Sequence, residues 1–93
     1  MTTTRAKQKK VFVDVVQFNF NALSDVENFL GHKIWDVFQE SDALDGKVKH
    51  WIKLPTLDGK VKVFDGDWII KYPNGDLIVR KPETFELQFE RVG

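Results

Sequence analysis

The chain has 93 residues and no cysteine, and its fourteen basic residues balance fourteen acidic ones. This length suits one domain with a modest core, and the lack of cysteine excludes disulfides and thiolate metal ligands. The neutral charge argues against a dedicated duplex-DNA binder, whose affinity comes largely from neutralised phosphates. No apolar run approaches the roughly 20 residues of a membrane helix, and no signal-peptide core follows the basic N-terminus. We therefore expect a cytoplasmic protein without a membrane partner.

A change of pattern near residue 10 separates a tail from a folded domain. Residues 1–9 are polar and basic and have no periodicity, which predicts a disordered basic tail. Residues 11–20 are dense in valine and phenylalanine, a composition typical of a strand. We therefore expect a single α+β domain over residues 10–93 that begins with this strand.

One helix is predicted after the first strand. Ser24 and Glu27 have the spacing of a capping box, in which each side chain accepts from the backbone N–H of the other residue. Gly31 occupies the position of a left-handed residue at a helix end. The sequence therefore predicts a short helix over about residues 25–30, with its apolar side packed on the sheet.

Turn signals divide the remaining chain into short segments. Asp-Gly or Asn-Gly pairs, which favour tight turns, end at residues 46, 59 and 75. Connections this short force neighbouring strands to be antiparallel. The strands predicted between these turns are residues 47–54, 60–64, 68–72 and 77–79.

Three further segments complete the predicted fold. Residues 33–39 fit a strand or a helical turn, and we favour a strand. Residues 82–85 predict one helical turn that begins at a proline, and residues 86–92 alternate as a closing strand would. The predicted fold class is α+β, with an antiparallel, strongly curled sheet made from a meander of hairpins and one short helix packed on one face.

Several segments resemble a known family. They occur in order along the chain as V-D-V-V-Q-F (13–18), N-F-L-G (28–31), L-P-T-L-D-G (54–59), G-D-W-I-I-K (66–71) and K-P-E-T-F (81–85). Together they resemble a family of small uncharacterised tailed-phage and prophage proteins, whose C-terminal signature is P-G-D-W/Y-I-I-K-G followed by K-P-D-x-F. The chain departs from that pattern at Asp65, where proline is usual, and at Val79-Arg80, where Pro-Cys is common.

The resemblance implies a phage or prophage accessory protein that acts in the cytoplasm of a bacterial host. It implies no reaction and no cofactor, because a shared fold does not by itself supply a function. Because the cysteine of the family is absent here, no site that uses it can be carried over to this chain.

Few residues suit catalysis or metal binding. His32 and His50 lack the spacing of a zinc motif. Asp65 and Asp67 could share one face of a strand, but Gly66 between them favours a turn in which aspartates accept from backbone amides. No serine lies in a nucleophile motif. We therefore predict no catalytic residue, no metal, no cofactor and no enzymatic activity.

The candidate binding residues are aromatic and basic. Trp51 alternates out of phase with the apolar residues of its strand, so on a one-sided sheet we expect it to be exposed between Lys49 and Lys53; the alternative is that an edge or oligomer contact covers it. An exposed tryptophan flanked by lysines fits a protein interface or stacking with single-stranded nucleic acid. Trp68 and Tyr72 are candidates for a small-ligand pocket, although a tryptophan that enters an apolar strand is more often part of the core.

The preferred hypothesis is a non-enzymatic phage or prophage accessory protein that binds a host or phage protein and modulates it. The alternatives are a single-stranded nucleic-acid binder and a binder of small, nucleotide-like ligands. Pairing of an exposed edge strand with a second copy would also give a homo-oligomer.

Overall fold

The computed structural model describes residues 12–41 and 44–90, so the predicted tail at residues 1–9 lies outside the described residues. This part of the chain contains two three-stranded antiparallel sheets, two α-helices and a short 3₁₀ turn. The α+β class is therefore confirmed, whereas a strongly curled sheet with one helix is wrong. The elements are β1 (Asp14–Gln17), a 3₁₀ turn (Phe20–Ala22), α1 (Leu23–Leu30), β2 (Phe38–Ser41), β3 (Val48–Thr56), β4 (Gly59–Phe64), β5 (Trp68–Lys71), β6 (Leu77–Arg80) and α2 (Pro82–Gln88).

The two sheets divide the chain differently from a simple meander. The first sheet has the order β1-β5-β6 and the second has the order β2-β3-β4. Gly66 interrupts the strand pattern with a φ of 93°, and its backbone N–H donates to the carbonyl of Phe18 at 2.9 Å. The turn after β4 therefore carries the chain from one sheet to the other and brings β5 beside β1.

The first sheet is covered on both faces because its strands alternate between two apolar clusters. Ile69 and Ile70 are neighbours in β5, and both are fully buried. Ile69 belongs to the main core, whose other fully buried members come from the second sheet, from α1 and from the segment after β1. Ile70 faces the other way and packs with Ile78 and Phe85, so α2 covers the outer face.

Helix α1 confirms one predicted end and contradicts the other. Gly31 ends the helix with a left-handed φ of 83°, as predicted. The capping box is wrong, because the N-cap is Ala22 and Ser24 lies inside the helix. Glu27 instead accepts a hydrogen bond from the backbone N–H of Ile34 at 2.8 Å through its Oε2 atom. The glutamate therefore anchors the segment that leaves the helix.

The predicted hairpin turns are confirmed, and the end of the described chain differs from the prediction. Gly46, Gly59 and Gly75 all have positive φ angles, which glycine adopts readily. The closing strand predicted at residues 86–92 is wrong, because α2 continues to Gln88. Residues 91–93 lie outside the described residues.

The alternation of apolar residues near the C-terminus led to the wrong prediction of a strand, because the same apolar residues also fit one face of a helix. Phe85 and Phe89 are four residues apart, and their rings stack with centroids 5.3 Å apart, the spacing of one helical face. Leu87 between them is 88% exposed. Likewise, only the end of the 33–39 segment forms a strand, since β2 begins at Phe38.

Candidate binding groove beside strand β3

A row of aromatic side chains crosses the outer face of the second sheet. Trp51 of β3 pairs directly with Phe38 of β2 and with Phe64 of β4. The Trp51 and Phe38 rings stack with centroids 4.4 Å apart. Lys62 lies over the indole, with Nζ 4.4 Å from the ring centroid, and the same Nζ donates to Glu40 Oε1 at 3.0 Å.

The expectation of a solvent-exposed Trp51 is therefore wrong. Its side chain does lie on the face opposite Ile52, as the alternation predicts, but that face is not open at this point. Neighbouring rings and the stem of Lys62 leave the residue only 8% exposed, because a long basic side chain can cover apolar surface while its charge stays in water. Its Nε1 has no hydrogen-bond partner among the described residues. Trp51 is thus a packing residue of the sheet.

The other predicted binding residues fall into two separate places. Lys49 and Lys53 are exposed on either side of Trp51, and Lys53 pairs directly with Lys62 on β4. Trp68 and Tyr72 lie on the first sheet, where they pack against the cluster beneath α2. Trp68 stacks on Phe85 with centroids 4.1 Å apart. The tryptophan that enters β5 is therefore a packing residue, and the structure does not join it to Trp51.

Among the described residues, no strand pairs with one edge of β3 over its second half, and just beyond β3 the Leu57 N–H donates to the carbonyl of Leu77 in β6 at 3.1 Å. Strand β2 pairs with β3 only from Val48 to Trp51, whereas β4 pairs with it from Trp51 to Thr56. The Asp65 N–H donates to the carbonyl of His50, so the backbone groups of His50 point towards β4. Because this direction alternates along a strand, those of Lys53 and Pro55 point towards the open edge.

The segment between α1 and β2 faces this edge without closing it. Within the described residues, no backbone hydrogen bond joins residues 32–37 to β3. A groove of about 370 Å³ lies between the two and is named here the β3 groove. Its lining comprises Leu30, His32, Lys33, Ile34, Trp35, Asp36, Phe38, Ile52, Lys53, Leu54, Pro55 and Lys60.

The β3 groove combines exposed aromatic surface with positive charge. Trp35 is 84% exposed and Phe38 is 40% exposed. Lys33, Lys53 and Lys60 form no salt bridge with any residue that the structure describes. The acidic residue among the lining residues is Asp36. The groove therefore presents ammonium groups that have no acidic partner among the described residues, and Lys33 Nζ lies 5.9 Å from the centroid of the Trp35 ring. The overall charge of the chain is neutral.

A second depression, of about 570 Å³, lies along Glu86–Glu90. Residues of this one stretch, at the end of α2, form its whole lining. Polar surface at the end of a single helix does not gather side chains from different parts of the fold, which binding sites generally require. The β3 groove is therefore the better candidate.

The two aspartates at the sheet junction have structural partners. Asp67 is 3% exposed and its Oδ2 accepts from the Phe64 N–H at 2.9 Å and from Lys81 Nζ at 3.0 Å. Asp65 Oδ1 accepts from the Phe20 N–H at 2.8 Å. The predicted turn role of both aspartates is confirmed. In the part of the chain that the structure describes, no three histidine, aspartate or glutamate residues are grouped to hold a metal.

Two of the five segments that carry the phage-protein resemblance meet at this junction. Asp67 of G-D-W-I-I-K pairs with Lys81 of K-P-E-T-F, and Trp68 stacks on Phe85. These contacts hold α2 on the first sheet. They give the resembling residues a structural use that is separate from the β3 groove.

Comparison of the chain with models of known protein families, with curated proteins and with solved structures gives no match in any of the three. The fold and the groove are therefore interpreted from their own geometry. Among residues 12–41 and 44–90, neither helix is long and apolar enough to cross a membrane.

The groove residues Trp35 and Phe38 were not singled out from the sequence. One signal that could have found this edge is Pro55, because proline within a strand favours an edge where its missing N–H faces no partner. Trp35 gave a weaker signal, since the segment around it, residues 33–39, fits both a strand and a helical turn. Only the folded chain shows that this segment runs beside β3.

Proposed function

We propose that this chain is a non-enzymatic accessory protein of phage or prophage origin that binds a host or phage protein and modulates it. The β3 groove is the proposed binding site, and the proposed location is the cytoplasm of the bacterial host. The observation that carries the proposal is the exposed Trp35 ring beside lysines that have no acidic partner in the part of the chain that the structure describes.

Tryptophan supports this role because a few large side chains commonly supply most of the binding energy at protein interfaces. Trp35 is 84% exposed, so a partner that covers it removes a large apolar area from water. Phe38 also lines the groove and is 40% exposed, so it extends the apolar surface. The phage or prophage origin is supported by the resemblance of the sequence segments alone.

The positive charge of the lysines supports a partner whose surface is negatively charged. Lys33, Lys53 and Lys60 line one groove, and complementary charge on a partner would accelerate the encounter and favour one orientation. The overall charge of the chain is neutral, so this attraction would act locally and would not make the protein bind polyanions in general.

The test is affinity capture from a bacterial lysate with the purified chain as bait. The wild type is expected to retain a stoichiometric partner, and Trp35→Ala is expected to lose it. Leu87→Ala is the matched control, because Leu87 is 88% exposed on α2 and does not line the groove. Retention of the same partner by Trp35→Ala, or its loss in both variants, would contradict the proposed site.

Single-stranded nucleic acid is the second candidate, because an exposed tryptophan beside lysines also fits base stacking with phosphate contacts. It predicts that fluorescence anisotropy of a labelled oligothymidine rises on addition of the chain and that the affinity falls steeply with salt. Unchanged anisotropy at low salt would eliminate this candidate.

A further inference from the structure

We infer that the β3 groove takes an extended acidic peptide segment, which adds to β3 as a strand opposite Lys53 and Pro55. This inference rests on the proposed function and names the chemistry of its partner. Its basis is the combination of unpaired backbone groups on the β3 edge with the unpaired lysines beside them.

The backbone of the open edge matches a peptide. Lys53 presents both its N–H and its carbonyl to the groove, and Pro55 presents a carbonyl alone. An added antiparallel strand would donate to both carbonyls and accept from the Lys53 N–H, the pattern by which extended peptides join exposed sheet edges. Because Pro55 has no N–H and the next residue that faces this edge, Leu57, already donates to the carbonyl of Leu77, pairing ends at Pro55 and the added strand is short.

The same pattern of backbone donors and acceptors on the β3 edge disfavours nucleic acid. A DNA backbone carries negative oxygen atoms and no donor, so it would face the carbonyls of Lys53 and Pro55 without a hydrogen bond, and an RNA backbone adds a donor only at the 2′-OH. A peptide backbone supplies donor and acceptor alternately. The edge therefore favours a peptide, although the lysines alone would attract either polymer.

The two faces of the sheet specify the side chains of the added strand. Residues directly opposite each other in a sheet share a face, so partner residues opposite Lys53 and Pro55 would lie on the outer face with Lys60 and Lys62. Acidic side chains suit those two positions. The partner residue between them would face the same side as Leu54, beside Ile34, where an apolar side chain fits.

The inferred motif is therefore acidic, apolar, acidic. The probe is a fluorescein-labelled peptide with the sequence G-S-E-V-E-S-G, and the charge control replaces both glutamates with lysine. Wild-type chain is expected to bind the acidic probe at least about ten-fold more tightly than the lysine peptide. Failure to bind the acidic probe, while the lysate partner of the wild type is still captured, would overturn this inference and leave the proposed function intact.

Two substitutions of Lys53 distinguish the contribution of its charge to peptide binding from the contribution of its backbone N–H. Lys53→Gln removes the charge and keeps the N–H, whereas Lys53→Pro removes both. Because this N–H faces away from β4, proline should leave the β3–β4 ladder intact. Lys53→Pro is expected to bind the probe about five-fold more weakly than Lys53→Gln, the scale of one hydrogen bond. Equal affinity of the two variants would overturn strand addition.

Hydrogen exchange of the wild type tests the same contact if Lys53→Pro fails to fold. Saturating acidic probe is expected to slow exchange of the Lys53 amide, because that amide becomes hydrogen-bonded. An unchanged exchange rate would overturn strand addition. Binding of labelled oligothymidine without binding of the acidic probe would overturn it in favour of nucleic acid. If sedimentation shows that the chain forms a dimer and that the probe dissociates it, the edge would instead bind a second copy of the chain.

Discussion

Asp67 and Lys81, fourteen positions apart in the chain, form an ion pair of 3.0 Å between the β4–β5 turn and the start of α2. The pair is asymmetric, because the Asp67 side chain is 4% exposed and the Lys81 side chain is 60% exposed. The carboxylate also accepts from the Phe64 N–H. One buried side chain therefore joins the second sheet, the sheet junction and α2.

Asp67→Ala is expected to lower the free energy of unfolding by about 2–3 kcal/mol, since it leaves the Phe64 N–H without its acceptor. Urea unfolding followed by circular dichroism measures the loss. The matched control is Glu40→Ala, which removes the exposed Lys62–Glu40 pair and should change stability by less than about 1 kcal/mol. Similar losses in both variants would contradict the structural role of Asp67.

The features predicted correctly from the sequence are those fixed by a few neighbouring residues. Gly31, Gly59 and Gly75 adopt the positive φ angles that their turns require, and each turn depends on local backbone conformation. Pro82 begins α2 as predicted, because proline suits the first turn of a helix. Local conformation thus revealed the turns, the end of α1 and the start of α2, but not the start of α1, the end of α2 or how the strands pair.

The other errors concern contacts between distant residues. The pairing of β1 with β5 depends on which strands share a core, and turn signals cannot distinguish one sheet from two. The burial of Trp51 depends on Phe38, Phe64 and Lys62, which lie on two other strands. The β3 groove has the same origin, because Trp35 and Pro55 line one groove only after β2 has paired with β3.

Trp51→Ala is expected to lower the free energy of unfolding by about 3 kcal/mol, because the indole is packed between two rings. Trp51→Phe should lose less, since it keeps an aromatic ring and removes an Nε1 donor that has no partner. Trp35→Ala should stay within about 0.5 kcal/mol of the wild type, as expected for an exposed side chain. Equal destabilisation by Trp51→Ala and Trp35→Ala in urea titrations would contradict this difference in burial.

The start of α1 gives a prediction on which the sequence pattern and the structure disagree. A capping box would make Ser24→Ala destabilising by about 1 kcal/mol. Because Ser24 lies inside the helix, we instead expect a change within about 0.5 kcal/mol. Glu27→Ala should lose about 1–2 kcal/mol, because the Ile34 N–H then lacks its carboxylate acceptor. Thermal unfolding of the two variants distinguishes the interpretations, and a larger loss for Ser24→Ala would restore the capping box.

The charge of the β3 groove predicts how binding of the acidic probe depends on salt. Lys60→Glu and Lys47→Glu change the net charge of the chain equally, but only Lys60 lines the groove. Attraction between the groove and an acidic segment acts over about 10 Å at 0.1 M salt, so the position of the charge matters as well as its sign. Stopped-flow fluorescence should show that Lys60→Glu slows association about ten-fold at low salt, whereas Lys47→Glu slows it much less. The difference should shrink as salt rises, because screening weakens both contributions. If the two variants slow association equally at every salt concentration, the attraction comes from the whole chain and the groove has no electrostatic preference of its own.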